Sequence, residues 1–556
     1  MTEQMQIAFQ HHQAGRLADA EKIYRQVLSQ NPHQPDALHL LGLIAYRTGH
    51  ADVACDLISR AVRLLPSMPE YQNNLSVVLE SLGRFDDALA AARQAVELQP
   101  NSAGPWYNLA NALRRKRRLD EAMNAYQRSL ALDPTQIDAR GNLATTLKLL
   151  GRRKEAIAEF QAVVAAAPGD VKALNNLGDA LRDDGQIEQA IAIQQQAIAL
   201  DPKNSGAHNN LGAALVRRAL STDPARLFDE AIDEFHQAIL CDPRNSESRL
   251  NLGMTYLLQG DFERGWQYYE GREAINSSQR PMTSAPHWDG CDISGKTILL
   301  YHEQGLGDTI QFIRYAPLVA RRGANVIVAC PRALLRLLQC VPNVRQFLAA
   351  GDPIPPHDFR CRLTSLPFIF QTRIDTIPAE KSYLAPDWQL VEQWKSRLPQ
   401  DARKKIGLVW AGNPSHANDH NRSLSLSDFA PLAEVRESVQ FFTLQKGPPA
   451  IQTQSAPPNV SLLDFTADLH DFADTAALIS QFDLVIAADT AVAHLSAAMG
   501  RPTWLLVGNV PDWRWMLGRT DSPWYPTMRL FRQPPSAGWD IPIQQIRLAL
   551  RADFGS

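Results

Sequence analysis

The sequence predicts an α-solenoid followed by an α/β region made of two parallel-sheet halves. Three observations carry this expectation. Pro32, Pro66, Pro100, Pro134, Pro168 and Pro202 recur every 34 residues. That period stops near residue 272, and short apolar runs then alternate with helical stretches. Nine of the 11 tryptophans lie beyond residue 287, which marks a core of a different kind.

A chain of 556 residues is too long for a single core, so two or three domains are expected. With 45% hydrophobic and 21% charged residues the composition is that of an ordinary globular protein. A formal net charge of -3 gives no electrostatic case for nucleic acid or an anionic membrane surface. The first residues lack the basic and apolar regions of a secretory signal, and no window approaches 18 uncharged apolar residues. The six cysteines are scattered without a CxxC pair, so free thiols, no zinc site and a cytoplasmic location are expected.

Each proline of the 34-residue series has an alanine 12 residues before it, from Ala20 and Ala54 to Ala190. The same offset relates Ala231 to Pro243, after a spacing of 41 residues, which places a seven-residue insertion within 218–226. An eighth unit starts near Ser246, with Gly253 and Gly265 at the small-residue positions. The small residues let two helices cross closely, and each proline stops the second helix. One such unit cannot bury its own apolar face, but stacked units can. This pattern is similar to the tetratricopeptide repeat.

A second column is less generic. Asn74, Asn108, Asn142, Asn176, Asn210 and Asn251 stand at the same position of successive units, on the first helix of each. Asparagine is a poor helix former, and its amide suits the backbone of an extended peptide. Two readings are open: these residues line a groove for a polypeptide, or they cap and bridge neighbouring helices. The ladder resembles that of the O-linked N-acetylglucosamine transferases, which implies an acceptor polypeptide. The basic run at 114–118 falls where two helices of one unit meet and reads as a solvated turn.

In the second half, 297–301, 325–330, 405–410, 440–444, 484–488 and 503–507 read as strands. Residues 311–321, 333–341, 427–435, 471–481, 491–499 and 541–550 read as helices. This alternation predicts parallel sheets with helices on both faces. The expected division is a repeat solenoid over 1–272, a linker over 273–294, one Rossmann-like half over 295–385, an interdomain segment over 386–399, and a second half over 400–556.

The motif GCDISGKT at 290–297 satisfies a P-loop pattern formally, but a strand follows it where a P-loop needs a helix. More informative is EQGLGDT at 303–309. Gly305 and Gly307 at a strand end let backbone approach a ligand, and a helix expected from Thr309 begins beside Asp308. Two roles for Asp308 are open, a helix-start carboxylate or a general base. Ile310 occupies the third glycine position of a dinucleotide fingerprint, so a nicotinamide or flavin site is not expected. In the last half, DLVIAADTAVAHLSAAMG at 483–500 reads as a buried strand, a polar turn and a helix. Asp489 and Thr490 form the turn, Ala491 starts the helix, and His494 lies one turn in. A helix start at the carboxyl edge of a sheet suits a diphosphate. Arg422, Lys446 and Asn413, which closes GLVWAGN at 407–413, follow other strands of this half and are expected at the same edge. No Asp-x-Asp pair occurs, so no metal site is expected.

Residues 295–556 resemble a GT-B glycosyltransferase domain of the heptosyltransferase type. The motifs that carry the resemblance are GLGD at 305–308, GLVWAGN at 407–413, LQKG at 444–447 and DTAVAHL at 489–495. The segment PDWRW…DSPWYP at 511–526 resembles one found in bacterial repeat-plus-glycosyltransferase proteins. The resemblance implies Asp308 as catalytic base, with Asp489, Thr490, Ala491 and His494 holding a nucleotide-sugar donor. The lysine that the family carries after the first strand of its donor half has no clear match, and Arg422 is the candidate there. The expected function is transfer of a sugar to a protein held by the repeats. A glycan or lipid acceptor, or a non-catalytic scaffold, are the alternatives.

Overall fold

The computed structural model describes residues 2–222, 224–272, 283–416, 418–457, 460–535 and 537–555. It resolves into two compact units, Met1–Pro202 and Lys203–Ser556.

The first unit contains six antiparallel helix pairs, from Glu3–Gln13 with Leu17–Gln30 to Val171–Asp183 with Ile187–Leu200. The reason for the alanine column is visible in the packing. Ala20, Ala54, Ala88, Ala122, Ala156 and Ala190 are all at 0% exposure, where a larger side chain would push the paired helices apart. The second helices end two residues before their prolines, at Gln30, Leu64, Leu98, Leu132, Ala166 and Leu200. Five of the six turns inside the pairs carry a glycine with positive φ, and Arg117 (φ 60°) takes that place in the fourth. The basic run is thus the turn expected from the sequence. Arg115, Lys116 and Arg118 pair with Glu80, Asp86 and Glu121.

Two further helix pairs open the second unit. The insertion lengthens the first of these, to Ser205–Ala219 and Pro224–Cys241. The second pair is Ser246–Gln259 and Phe262–Tyr269. The 34-residue periodicity therefore runs past the division between the compact units. Of the linker expected over 273–294, residues 273–282 lie outside the described residues. His287 bridges to Arg360 in parallel, and the Trp288 N–H donates to the Arg360 carbonyl at 2.8 Å.

Two parallel sheets follow. The first has the order β3-β2-β1-β4, with β1 Thr297–Tyr301, β2 Asn325–Cys330, β3 Gln346–Ala349 and β4 Phe359–Arg362. The second has the order β10-β9-β8-β5-β6-β7. Its strands are β5 Lys404–Val409, β6 Val439–Thr443, β7 Leu462–Asp464, β8 Leu484–Ala488, β9 Thr503–Val507 and β10 Met528–Arg532. The continuous apolar runs have a simple cause: both faces of the second sheet are covered. Leu484, Ile486 and Ala488 join Trp504, Leu506 and the C-terminal helix Asp540–Phe554 in one core. Val485 and Ala487 join Leu505 and Val507 in the other. That larger core extends through the first sheet to Trp266 and Tyr269 of the last repeat.

The single helix expected over 311–321 is instead a helix Leu306–Phe312, a 3-10 turn Ile313–Tyr315 and a helix Ala316–Arg321, divided just before Pro317. The stretch expected as a helix over 427–435 is a 3-10 helix Leu426–Val435 with Pro431 inside it. Helix 333–341 shortens to Leu335–Leu338 after a 3-10 turn.

A buried charge network ties the last repeat to the first sheet. Arg272 is at 0% exposure and bonds Glu303, the Tyr269 carbonyl (2.9 Å), Thr364 Oγ1 (3.0 Å) and Ser365 Oγ (2.7 Å). Arg362 at the end of β4 holds the other oxygen of Glu303 at 2.8 Å.

Candidate active site

In open parallel sheets, ligands bind beyond the carboxyl ends of strands where the order reverses. In the first sheet that point lies between β1 and β4, and in the second between β8 and β5. The chain places Asp308 after β1, the 411–422 loop after β5, and Asp489–Thr490 after β8.

The helix expected from Thr309 starts three residues earlier, with Asp308 as a carboxylate of its first turn. The helix begins at Leu306 with Gly305 as its N-cap, so Asp308 is its third residue. From there its Oδ2 accepts the Gly305 N–H at 2.9 Å, closing the helix start from inside. Its Oδ1 pairs with Arg514. Arg514 also donates to Gln311 Oε1 at 2.6 Å and Asp512 Oδ1 at 2.8 Å. Burial raises the Asp308 carboxyl above its ordinary value, with Asp512 adding to the effect and Arg514 opposing it.

Asp489 faces the same segment. Its Oδ2 accepts the Trp515 indole N–H at 2.9 Å. Burial and the nearby Asp512 push its carboxyl up to about 6, against the opposing charges of Arg422 and Arg514. The folded state therefore holds this proton over a pH range in which the unfolded chain has released it. Stability from Asp489 is full below about pH 4 and is lost as pH rises to about 6. The thermal midpoint of the wild type, minus that of Asp489→Asn, is expected to fall across that window. A flat difference would remove the assignment.

Thr490 caps the helix Ala491–Ala498, whose first backbone N–H groups have no intrahelical partner. The Thr490 hydroxyl is buried and finds no hydrogen-bond partner among the described residues. Arg422 reaches this turn, donating to the Asp489 carbonyl at 3.1 Å. It comes from a short helix, Asp419–Arg422, that lies close against two glycines. A side-chain carbon on Gly412 would sit 2.7 Å from Arg422 Nη2, and one on Gly508 2.0 Å from the Asn421 carbonyl.

His494 is 5% exposed, and its Nδ1 shares a hydrogen bond with the Tyr525 hydroxyl at 2.8 Å. Burial, reinforced by Arg514, Arg314 and Arg422, holds the ring well below its ordinary value, so it is neutral at pH 7. A side-chain carbon on Gly307 would lie 2.8 Å from His494 Cδ2. The close approach that Gly307 permits is thus to this ring, where the helix after β1 meets the helix after β8.

The remaining candidates lie further out. Asn413 is exposed and folds back, its Oδ1 accepting the Ser415 N–H at 3.0 Å. Lys446 is exposed and bonds the Leu469 carbonyl. Its neighbour Gln445 is the buried polar member of that motif, accepting from the Trp410 and Ala411 N–H groups at 3.1 and 2.9 Å. The sequence reading missed Arg514, Asp512, Trp515 and Gln445. The WRW triplet is the one local signal that could have pointed to the first three.

In the repeats the amides of Asn74, Asn108, Asn142 and Asn251 bridge neighbouring helices. Asn74 bonds His39 at 2.9 Å, Asn108 donates to Asn73 at 2.8 Å, and Asn142 to Tyr107 and Asn111, both at 3.2 Å. In the second unit Asn251 donates to Asn209 at 3.0 Å, and Asn209 to Asn210 at 3.5 Å. Asn176 is half-buried on Val171–Asp183.

Residues 11–69, 74–137, 113–178, 178–217 and 235–267 match tetratricopeptide-repeat models. Residues 467–530 match the model of glycosyltransferase family 9 (heptosyltransferase). That stretch contains Asp489, Thr490, His494, Asp512, Arg514, Trp515 and Tyr525. Protein FlbA of Caulobacter vibrioides (strain ATCC 19089 / CIP 103742 / CB 15) is 26% identical over 341 residues. The match takes in 54% of this chain and 54% of FlbA, so the chain spans about half the length of that relative. Among solved structures, YrrB, described as a TPR protein with an unusual peptide-binding site, is 21% identical. It covers 34% of this chain and 95% of its own, with a TM-score of 0.30. MamA from Desulfovibrio magneticus RS-1 is 26% identical, covering 32% and 96%, with a TM-score of 0.29. The chain thus carries tetratricopeptide repeats and a glycosyltransferase family 9 match that supports a glycosyltransferase. Among the described residues, no helix is long and apolar enough to cross a membrane.

Proposed function

We propose that this protein transfers a glycosyl group from a nucleotide sugar to an acceptor hydroxyl, in the cytoplasm, with its two sheets as the halves of a GT-B enzyme. The observation that carries the reading is the meeting of Asp308 from one sheet with Asp489 from the other at a single segment, Asp512–Trp515, with Thr490 next in the chain at the helix start. Asp308 takes the proton of the acceptor hydroxyl as its oxygen attacks the anomeric carbon. The bond from that carbon to the diphosphate oxygen breaks, and the nucleoside diphosphate leaves with the electron pair. The Thr490 hydroxyl, the helix start at Ala491 and Arg422 face the leaving charge, so the reading needs no metal ion. His494 and Gly307 hold the two sides in register. Asn413 and Lys446 would border the donor.

The repeats supply the acceptor, a polypeptide or protein partner along their first helices. The amide bridges of Asn74, Asn108, Asn142 and Asn251 favour a second reading, in which the repeats recruit a partner and the acceptor is a glycan or lipid-linked sugar. A panel of UDP-, GDP-, ADP-, TDP- and CMP-linked sugars tests the donor by thermal shift. A donor at 100 times its Kd adds about 2.7 kcal/mol of stability. One donor class is expected to raise the midpoint in the wild type and much less in Thr490→Ala. No shift with any of them would favour a non-catalytic scaffold.

A further inference from the structure

We propose that Arg514 is the positioning residue of Asp308, and that the last helical repeat holds Arg514 in place through Trp513. The proposal rests on the reading of Asp308 as the base. Four observations carry it. Arg514 is 6% exposed, yet its guanidinium meets Asp308 and Gln311 from the helix after β1 as well as Asp512 from its own segment. The carboxylate of Asp308 therefore has a donor on each oxygen, Arg514 on one and the Gly305 N–H on the other, which fixes its plane. The guanidinium lies 4.3 Å over the Trp513 ring. Trp513 in turn stands edge-on to Trp266 at 5.2 Å and to Tyr269 at 5.7 Å, both from the repeat helix Phe262–Tyr269.

The arrangement has a chemical purpose. A base must be ionised to accept a proton, and Asp308 is placed where burial and Asp512 both disfavour that state. Arg514 is the cation in contact with it. The other titratable groups that act on this position are Tyr269 from the last repeat and His416 from the loop after β5. The next residue after Arg514, Trp515, donates to Asp489, so one four-residue segment aims both carboxylates. The last repeat thereby takes part in the transfer site, in addition to any role in holding the acceptor.

The test uses the full-length chain with Arg514→Gln, Arg514→Lys and Trp266→Leu. In Arg514→Gln the acid limb of kcat/KM is expected to move to higher pH by about one unit or more, the effect of losing an opposite charge in contact. Arg514→Lys, which keeps the charge, is expected to restore most of that shift, and Trp266→Leu to move the limb in the same direction by less. A rate lowered equally at every pH, with the limb unmoved, would overturn the proposal. A second measurement is independent of turnover. Ten of the 11 tryptophans lie in 203–556, so tryptophan fluorescence reports the thermal midpoint of that unit. Asp308→Asn combined with Arg514→Gln is expected to lower it no further than Arg514→Gln alone, and strictly additive losses would overturn the pairing. If no donor is turned over while the losses remain non-additive, the transferase reading falls and the clasp between Arg514 and Asp308 stands.

Discussion

Asp308→Asn is expected to lower kcat/KM by about 10²–10⁴-fold, the usual contribution of a well-placed base. The substitution is close to isosteric. An amide oxygen can still accept the Gly305 N–H that closes the helix start at 2.9 Å. What is lost is the charge facing Arg514 and the ability to take a proton near neutral pH. The donor side, at Thr490 and Ala491, belongs to the other sheet, so donor-induced stabilisation is expected to survive. The two assays together separate chemistry from binding: loss of turnover with an intact thermal shift supports the role. Turnover equal to wild type in a folded Asp308→Asn protein would end it.

The second large effect concerns Glu303, which is 3% exposed between Arg272 and Arg362. Glu303→Leu leaves two buried guanidinium groups facing an apolar side chain. Removing one partner of a buried ion pair typically costs about 3–5 kcal/mol. A loss of this order is expected in denaturant unfolding of residues 203–556 followed by tryptophan fluorescence, because the network joins the last repeat to β4. Glu303→Gln, which keeps an acceptor for Thr364, is expected to cost less. Equal stability of the leucine variant would show that the pair is not needed for the fold.

The parts of this architecture that the sequence reveals are those specified locally. A repeat is one supersecondary unit, so its alanine and proline recur at fixed spacing whatever lies elsewhere. Strands β1, β2, β8 and β9 were legible to the residue because sheets covered on both faces demand unbroken apolar runs. By contrast β3, β4, β7 and β10 went unread. Each is short or interrupted by charge, and the arginines of β4 look like loop residues until Glu303 is known to meet Arg362. The site follows the same rule. Thr490, Ala491 and Arg422 are legible as candidates from strand ends and helix starts. Arg514 was not, because its partner Asp308 is 206 residues away in the chain and nothing in WRW names an acidic target. The asparagine column was visible as a pattern, but whether an amide serves a ligand or its neighbour depends on what lies 35 residues earlier.

The boundary at residue 203 has an evolutionary consequence. In stacked repeats each unit depends chiefly on its neighbours, so units can be duplicated or lost with little penalty elsewhere. That freedom applies to the six pairs before the boundary. The last pair carries Trp266 and is followed by Arg272, both tied into the second unit's core, and cannot be exchanged without rebuilding those contacts. Lineages of this architecture are therefore expected to lengthen and shorten from the amino-terminal side, with the final pair as the fixed keystone.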